Sequence, residues 1–201
     1  MPFTQIELFL RGMGAAAGFG TLAIAVVAAF WSLRQAPGRE DPGARFVLRR
    51  PFLMLTTFLF ITGGFLLWHP LPLRLASTWH AIAVGAGALV FFAALAVYLW
   101  GLFALGRMFA PSSAFGVRLH AGHALVTSGP YAYVRHPMYL AVIMAAIGSL
   151  LVYQTWATFV FAVAMSGLTR RARKEEEALA AEFGPEWHAH ASRIPKWLPR
   201  L

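Results

Sequence analysis

No cysteine occurs among the 201 residues, which rules out disulfides, thiolate metal sites and cysteine nucleophiles. Charge is scarce as well. Asp, Glu, Lys and Arg make up 12% of the chain, where a soluble domain carries about 25%. Apolar residues take their place at 59%, against roughly 45–50% in soluble domains, and the mean hydropathy is +0.62. Water is therefore not the main solvent of this chain. Acidic residues are the rarest charged class, 8 against 17 basic, leaving a net charge of +9. On a soluble domain such a balance would suggest nucleic acid. In this sequence the basic residues flank apolar runs, so anionic membrane lipid is the expected partner, with no nucleic acid and no obligate protein partner. No metal site is read from the residues present.

Four windows contain no charged residue: 12–33, 51–73, 75–106 and 136–169. Each exceeds the roughly 18 apolar residues that suggest a membrane-spanning helix. The last, 34 residues long, would run about 51 Å as one straight helix, well past a hydrocarbon core of roughly 30 Å. It reads instead as a helical hairpin turning near Tyr153-Gln154-Thr155. The fold class is then all-α: five transmembrane helices, the fourth and fifth forming the hairpin, followed by a C-terminal amphipathic helix. Residues 1–201 form a single membrane domain. Within it, 1–105 hold three spans and a Pro- and Gly-rich loop at 34–50, and 106–201 hold the candidate core.

Charge placement orients these spans, because Lys and Arg are retained on the cytoplasmic side. Of the 17 basic residues, 15 fall in three segments: five from Arg34 to Arg50, then Arg107, Arg118 and Arg135, and seven from Arg170 to Arg200. Five spans place all three segments on one face and leave Arg11 and Arg74 for the other. The expectation is an inner-membrane protein with its N-terminus outside and its C-terminus cytoplasmic. The first residues lack a basic segment followed by a cleavage site, so the first span is expected to remain as an anchor. Small residues of the third span, Ala81, Ala83, Gly85 and Gly87, read as helix-packing positions.

Residues 107–136 are polar and rich in Gly, Pro, Ser and His between two spans. Irregular backbone at membrane depth must be buried in protein or line a cavity, so a pocket is expected there. After Thr169, the segment RRARKEEEALAAEFG carries an apolar stripe at Leu179, Phe183 and Trp187, with Gly184 to end one helix and Pro185 to start another. From periodicity alone this is an amphipathic helix on the membrane surface. Taken singly, Arg135 is a topology anchor, His136-Pro137 a helix start, and Arg171 with Glu175 a helix pair contributing about 0.2–0.5 kcal/mol.

Their order along the chain carries more than any one of them. H-x-L-V-T-x-G-x-Y at 123–131, R-H-P-x-Y at 135–139, E-E-x-x-L-x-x-x-F-G at 175–184 and R-I-P at 193–195 stand in succession after several spans. This arrangement resembles the isoprenylcysteine carboxyl methyltransferase family and its phospholipid methyltransferase relatives over roughly residues 105–199. The resemblance implies a cytoplasm-facing S-adenosyl-L-methionine pocket, capped by the C-terminal helix, with a lipid-side tunnel for a lipophilic acceptor. By matching positions it implies a cofactor site of His123, Ala124, Leu125, Val126, Tyr131, His136, Pro137, Met138, Tyr139 and Glu175. It implies that Arg171 meets a substrate carboxylate, and Arg135 stands beside it as the second candidate catalytic residue. The departures bear on the acceptor side more than on the cofactor side. Gly116 replaces a polar cofactor contact that Arg118 or His120 would have to supply, Ala141 replaces a Gly, and Trp187 and His190 replace two tyrosines.

The expected reaction is therefore methyl transfer to a carboxylate, with N- or S-methylation of a lipid or small molecule as the alternative. Two other classes are weighed against it: a sterol-type membrane reductase using NADPH, and a non-catalytic membrane protein. In the reductases the comparable segment reads H-x-N-Y followed by Gly-Asp; this chain has Met138 and Leu140-Ala141 there.

Overall fold

The computed structural model describes residues 3–34, 37–40, 50–109, 118–120, 122 and 124–199. The described residues are overwhelmingly helical: α1 (Phe3–Leu33), α2 (Arg50–Leu66), α3 (Ser77–Leu105), α4 (Pro137–Tyr153), α5 (Trp156–Met165), α6 (Leu168–Phe183) and α7 (Pro185–Arg193). Two of them, over Phe3–Ser32 and Ser77–Met108, are long and apolar enough to cross a membrane. Met54–Leu66 and Pro137–Tyr153 are shorter apolar helices.

Side chains on α1 show which solvent this fold expects. Phe9, Phe19, Phe30 and Trp31 are each at least 64% exposed, and only 11% of the helix's apolar window is covered by protein. Contiguous apolar surface of this extent marks contact with lipid.

Helices α3 and α4 form the most extensive packing. On α3 the buried residues Val84, Gly87, Ala88, Ala94, Gly101 and Leu102 make one stripe, and the crossing with α4 is set by two glycines. A Cβ on Gly148 would lie 2.7 Å from the Phe91 backbone nitrogen and 2.8 Å from the Gly87 carbonyl oxygen, and one on Gly87 would lie 2.6 Å from Leu151 Cβ. In lipid there is no hydrophobic drive between helices, so this close backbone approach supplies the dispersion contact instead. Of the small residues read as packing positions, Gly87 fulfils that role, whereas Gly85 faces open space.

The α4–α5 turn falls where the apolar run demanded one. Gln154 adopts the left-handed conformation at φ 51. Thr155 caps α5 by accepting from the Thr158 backbone, and the Thr158 hydroxyl closes the capping box. The strand-like stretch after α2 straps this tip: Leu71 N–H donates to Gln154 O at 2.8 Å and Trp156 N–H to His69 O at 3.0 Å. The start of α1 ties in beside it, with Arg11 Nε donating to Val152 O at 3.1 Å and Tyr153 Oη to Arg11 O at 2.8 Å.

Two features differ from the sequence expectation. The second arm of the hairpin does not run unbroken to Thr169. It turns at Ser166-Gly167, where Ser166 Oγ donates back to Val163 O (2.6 Å) and Thr169 Oγ1 to Ser166 O (2.8 Å), a side-chain competition that bends apolar helices. The chain is also not purely helical. Pro37–Glu40 (β1) pairs antiparallel with Arg118–His120 (β2), joining the loop after α1 to the segment after α3.

Candidate active site

Because α4 starts at Pro137 and turns at Gln154, its two ends lie at opposite ends of the bundle. The tip carries the strap and Arg11. The other end carries the turn at 129–136, the C-terminal end of α3, and α6 with α7. Gly129 takes φ +61, and any side chain there would strike Ala104 and Trp100 of α3, so the turn folds directly onto α3. Pro130 is buried in it, and Pro137 opens α4 at its first position.

Arg135 holds this end together. Its Nε donates to Glu176 Oε1 at 2.9 Å, its Nη2 lies 2.9 Å from the same oxygen, and its Nη1 donates to the carbonyls of Ala191 (2.7 Å) and Ile194 (2.8 Å). Its guanidinium also lies over the Trp187 ring at 5.8 Å. The backbone repeats the tie: Arg135 N–H donates to Pro195 O at 2.9 Å and His136 N–H to Lys196 O at 3.3 Å. The R-H-P and R-I-P motifs are thus two halves of one closure, the second supplying carbonyls to the first.

Glu176 on α6 is the hub. It accepts from Arg135, from His136 Nε2 at 3.1 Å and from Lys196 Nζ at 2.8 Å. Burial alone would raise its pKa; the hydrogen bonds from His136 and Lys196, the neighbouring charge and the Arg135 bond outweigh it and hold the carboxyl at about 2. Its neighbour Glu175 points elsewhere, accepting from Tyr139 Oη at 2.5 Å. The Tyr139 ring stacks on His136 (5.5 Å, 6° between planes) and carries the Arg171 guanidinium 5.2 Å from its centroid.

A cleft opens among these groups, lined by Leu105, Leu125, Val126, Tyr131, Arg135, His136, Glu175, Leu179, Trp187 and His190, with about 460 Å³ of empty space counted to its open mouth. Its wall is apolar on the 125–126 and Leu179 sides and polar around Glu175. Tyr131 is pushed far up from its ordinary pKa by burial and by the nearby Glu175, Tyr139 and Tyr98, so it stays a phenol. His190 is pushed down by burial and by Arg135 and Arg193.

Of the residues expected at the cofactor site, Leu125, Val126, Tyr131, His136 and Glu175 line the cleft. Tyr139 backs it through Glu175 and His136. Pro137 and Met138 are buried beneath, and Met138 fits the space above Gly101, where a Cβ would lie 2.7 Å from its Cγ. Ala124 is exposed and donates its N–H to Met108 Sδ at 3.3 Å. His123 and Gly116 lie outside the described residues, as do the side chains of Arg118 and His120. Arg171 stands over Tyr139 rather than in the lining. Glu176, Leu179 and Lys196 complete the arrangement without having been singled out as site residues; Glu176 adjoins a residue that was, and Lys196 follows the R-I-P motif. Among the described residues, no group of three or more His, Asp or Glu is placed to hold a metal ion.

The comparisons with known proteins fall on this same stretch. Residues 86–181 match the family model described as the isoprenylcysteine carboxyl methyltransferase (ICMT) family. The protein-S-isoprenylcysteine O-methyltransferase of Schizosaccharomyces pombe is 32% identical over 81 residues, 39% of this chain and 34% of that protein. The cobalt-zinc-cadmium resistance protein CzcN of Cupriavidus metallidurans is 34% identical over 80 residues, 39% of this chain and 37% of that protein. The chain thus spans about a third of the length of these curated relatives. Residues 86–181, which include the 135–139 turn and both glutamates of α6, are thus similar to the isoprenylcysteine carboxyl methyltransferase family.

Proposed function

We propose that this protein is an integral membrane methyltransferase that moves a methyl group from S-adenosyl-L-methionine to a carboxylate on a lipophilic acceptor. One observation carries the reading: the pair Glu175–Glu176 on α6 divides its bonds between Tyr139 on one side and Arg135 with His136 on the other, so that two motifs about forty residues apart build one cleft. That cleft lies in the family-matching stretch. The O-methylation named for the fission-yeast relative supports an oxygen acceptor.

The residues present fit the cofactor. When bound, S-adenosyl-L-methionine supplies a methyl carbon made electrophilic by a sulfonium. Glu175 presents an acidic group to a cation, and Leu125, Val126 and Leu179 exclude water from it. Tyr139 already meets His136 and Arg171, and Tyr131, which lines the cleft, is the aromatic assigned a cation–π contact worth about 2 kcal/mol when desolvated. Arg171, whose guanidinium matches a carboxylate's geometry, is the acceptor's partner. Arg135 is read as a positioning residue, since its donors are engaged by Glu176 and two carbonyls.

The membrane arrangement belongs to the same proposal: five spans, α1, α2, α3, α4 and α5, with the N-terminus outside and the cleft cytoplasmic. It is supported by the β1–β2 pairing, which brings Pro37–Glu40 beside Arg118–His120. It is also supported by Arg11, which sits at the opposite end beside the hairpin tip.

Titration of the purified protein with S-adenosylhomocysteine, then with NADPH, tests the reading. Saturable binding of the former is expected. Glu175→Ala should weaken it at least tenfold while the protein stays folded in detergent; binding of NADPH alone would assign the chain to the reductase class. Arg171→Ala should lower turnover more than cofactor affinity.

A further inference from the structure

One titratable side chain in the cleft has no partner that explains it. Tyr131 is held as a phenol, Arg135 is engaged by Glu176 and carbonyls, His136 Nε2 bonds Glu176, and Glu175 accepts from Tyr139. His190, half-buried on α7, lines the same cleft. Its ring rests 6.0 Å from that of Trp187, and no hydrogen bond engages its imidazole among the described residues.

We propose that His190 is the proton acceptor that ionises a carboxylic acid arriving from the lipid phase in its neutral form. The inference rests on the methyltransferase reading above. A lipophilic acid in a bilayer favours the neutral form, because desolvation penalises the carboxylate. Yet only the carboxylate is an adequate nucleophile for methyl transfer. On α3 the exposed Trp100 (49%) and Phe103 (70%) precede Leu105, which lines the cleft, and this apolar face is the approach assigned to the acid. A proton must therefore leave the acid between that apolar approach and the cleft.

His190 is suited to take it. The charges it meets are those of Arg135 from the turn before α4 and Arg193 on its own helix, and Glu175 lines the cleft with it. Burial and the two arginines keep the imidazole empty of its proton near neutral pH. The same guanidiniums lower the acid's pKa as it enters, which favours its ionisation. The acid's O–H bond breaks and its proton goes to the imidazole. The carboxylate oxygen then forms the new bond to the methyl carbon as the carbon–sulfur bond breaks, its electron pair passing to sulfur. The imidazolium, disfavoured beside two arginines, releases the proton to water at the open mouth. The net products are a methyl ester, a thioether and one proton.

The experiment compares wild-type protein with His190→Gln in nanodiscs, using N-acetyl-S-farnesylcysteine as the acid. At pH 7 the variant's kcat/KM should fall at least about tenfold, below the roughly 10²–10⁴ that general bases contribute. It should also lose the limb by which the wild-type rate falls as the imidazole protonates, and added imidazole should restore part of the rate. Independently of turnover, the carboxyl ¹³C resonance of the labelled acid, bound to protein loaded with S-adenosylhomocysteine, should report carboxylate in the wild type and more of the neutral acid in the variant. An unchanged pH profile, or the same ionisation state in both proteins, overturns the proposal. No methylation of this acid with intact S-adenosylhomocysteine binding overturns the acid-acceptor role and spares the cofactor site; loss of that binding in the wild type overturns both.

Discussion

The two ends of this bundle are built on opposite principles. Helix α1 touches α3 and the hairpin tip but leaves Phe9, Phe19 and Phe30 bare; around Gly12 and Gly20 an added Cβ would meet nothing within 4 Å. At the end that carries the cleft, Arg135, His136, Glu176 and Lys196 form one network, and the backbone at 135–136 is bonded to the chain at 195–196. The difference teaches where specificity has to be built. Lipid accepts any apolar helix surface, so α1 needs length more than shape. A polar cleft beside the membrane needs its donors and acceptors arranged in advance.

Glycine substitution gives the sharpest break of that comparison. Gly148→Val places a branched side chain against the backbone of Phe91 and Gly87, neither of which can yield as a flexible side chain would. The expected result is loss of the α3–α4 crossing, a destabilisation of more than about 3 kcal/mol, seen as an unfolding midpoint far below wild type in detergent. Gly12→Val, in open space on α1, should leave the midpoint within experimental scatter. Equal effects at the two sites would show that α1 is packed after all.

Glu176 comes next. Removing it in Glu176→Ala leaves Arg135, 15% exposed, and His136, 4% exposed, without their shared carboxylate. Breaking a buried pair this way costs about 3–5 kcal/mol, and about 2–3 kcal/mol is expected at this partly solvated site. Proteolysis near residues 191–197 should quicken in parallel. The sign with pH follows from the carboxyl, held at about 2 against an ordinary 4.5. Its contribution is fully present above pH 4.5 and is lost as pH falls through about 2, so wild type and Glu176→Gln should differ most near neutrality and converge toward pH 2. A gap that persists at acid pH would mean that packing, not charge, holds the closure.

How much of this was legible in the sequence follows the same division. Apolar length alone sets the long helices, and the excess length of residues 136–169 forces a turn where Gln154 takes its left-handed conformation. Periodicity placed Leu179, Phe183 and Trp187 on one stripe, but not what the stripe meets: Trp187 is buried under Arg135, in a helix begun anew by Pro185. The resemblance singled out Glu175, and Glu175 is the one that lines the cleft; periodicity alone does not reveal the role of Glu176, because adjacent helix residues point about 100° apart and their partners come from packing. The β1–β2 ribbon was invisible because PGRE and RLH have no strand pattern; their pairing is set by where the helix ends bring the two loops. The assignment of Arg135 to chemistry reflected its place in a motif, whereas the carbonyls of Ala191 and Ile194 that occupy it come from a stretch nearly sixty residues later.

The smallest effect is expected on α1 and tests the comparison from its quiet side. Phe19 is 72% exposed, and in the membrane its ring meets acyl chains whether α1 is docked or separated from its neighbours. The transfer of apolar area that gives a core Phe its roughly 3–5 kcal/mol on truncation is therefore nearly absent from the docking equilibrium, because lipid is as apolar as the side chain. Phe19→Ala should change the unfolding free energy in bicelles by less than about 0.5 kcal/mol, with S-adenosylhomocysteine affinity unaltered. A loss of 2 kcal/mol or more would show that a surface not present in the single chain, such as a second copy, covers α1 in the membrane.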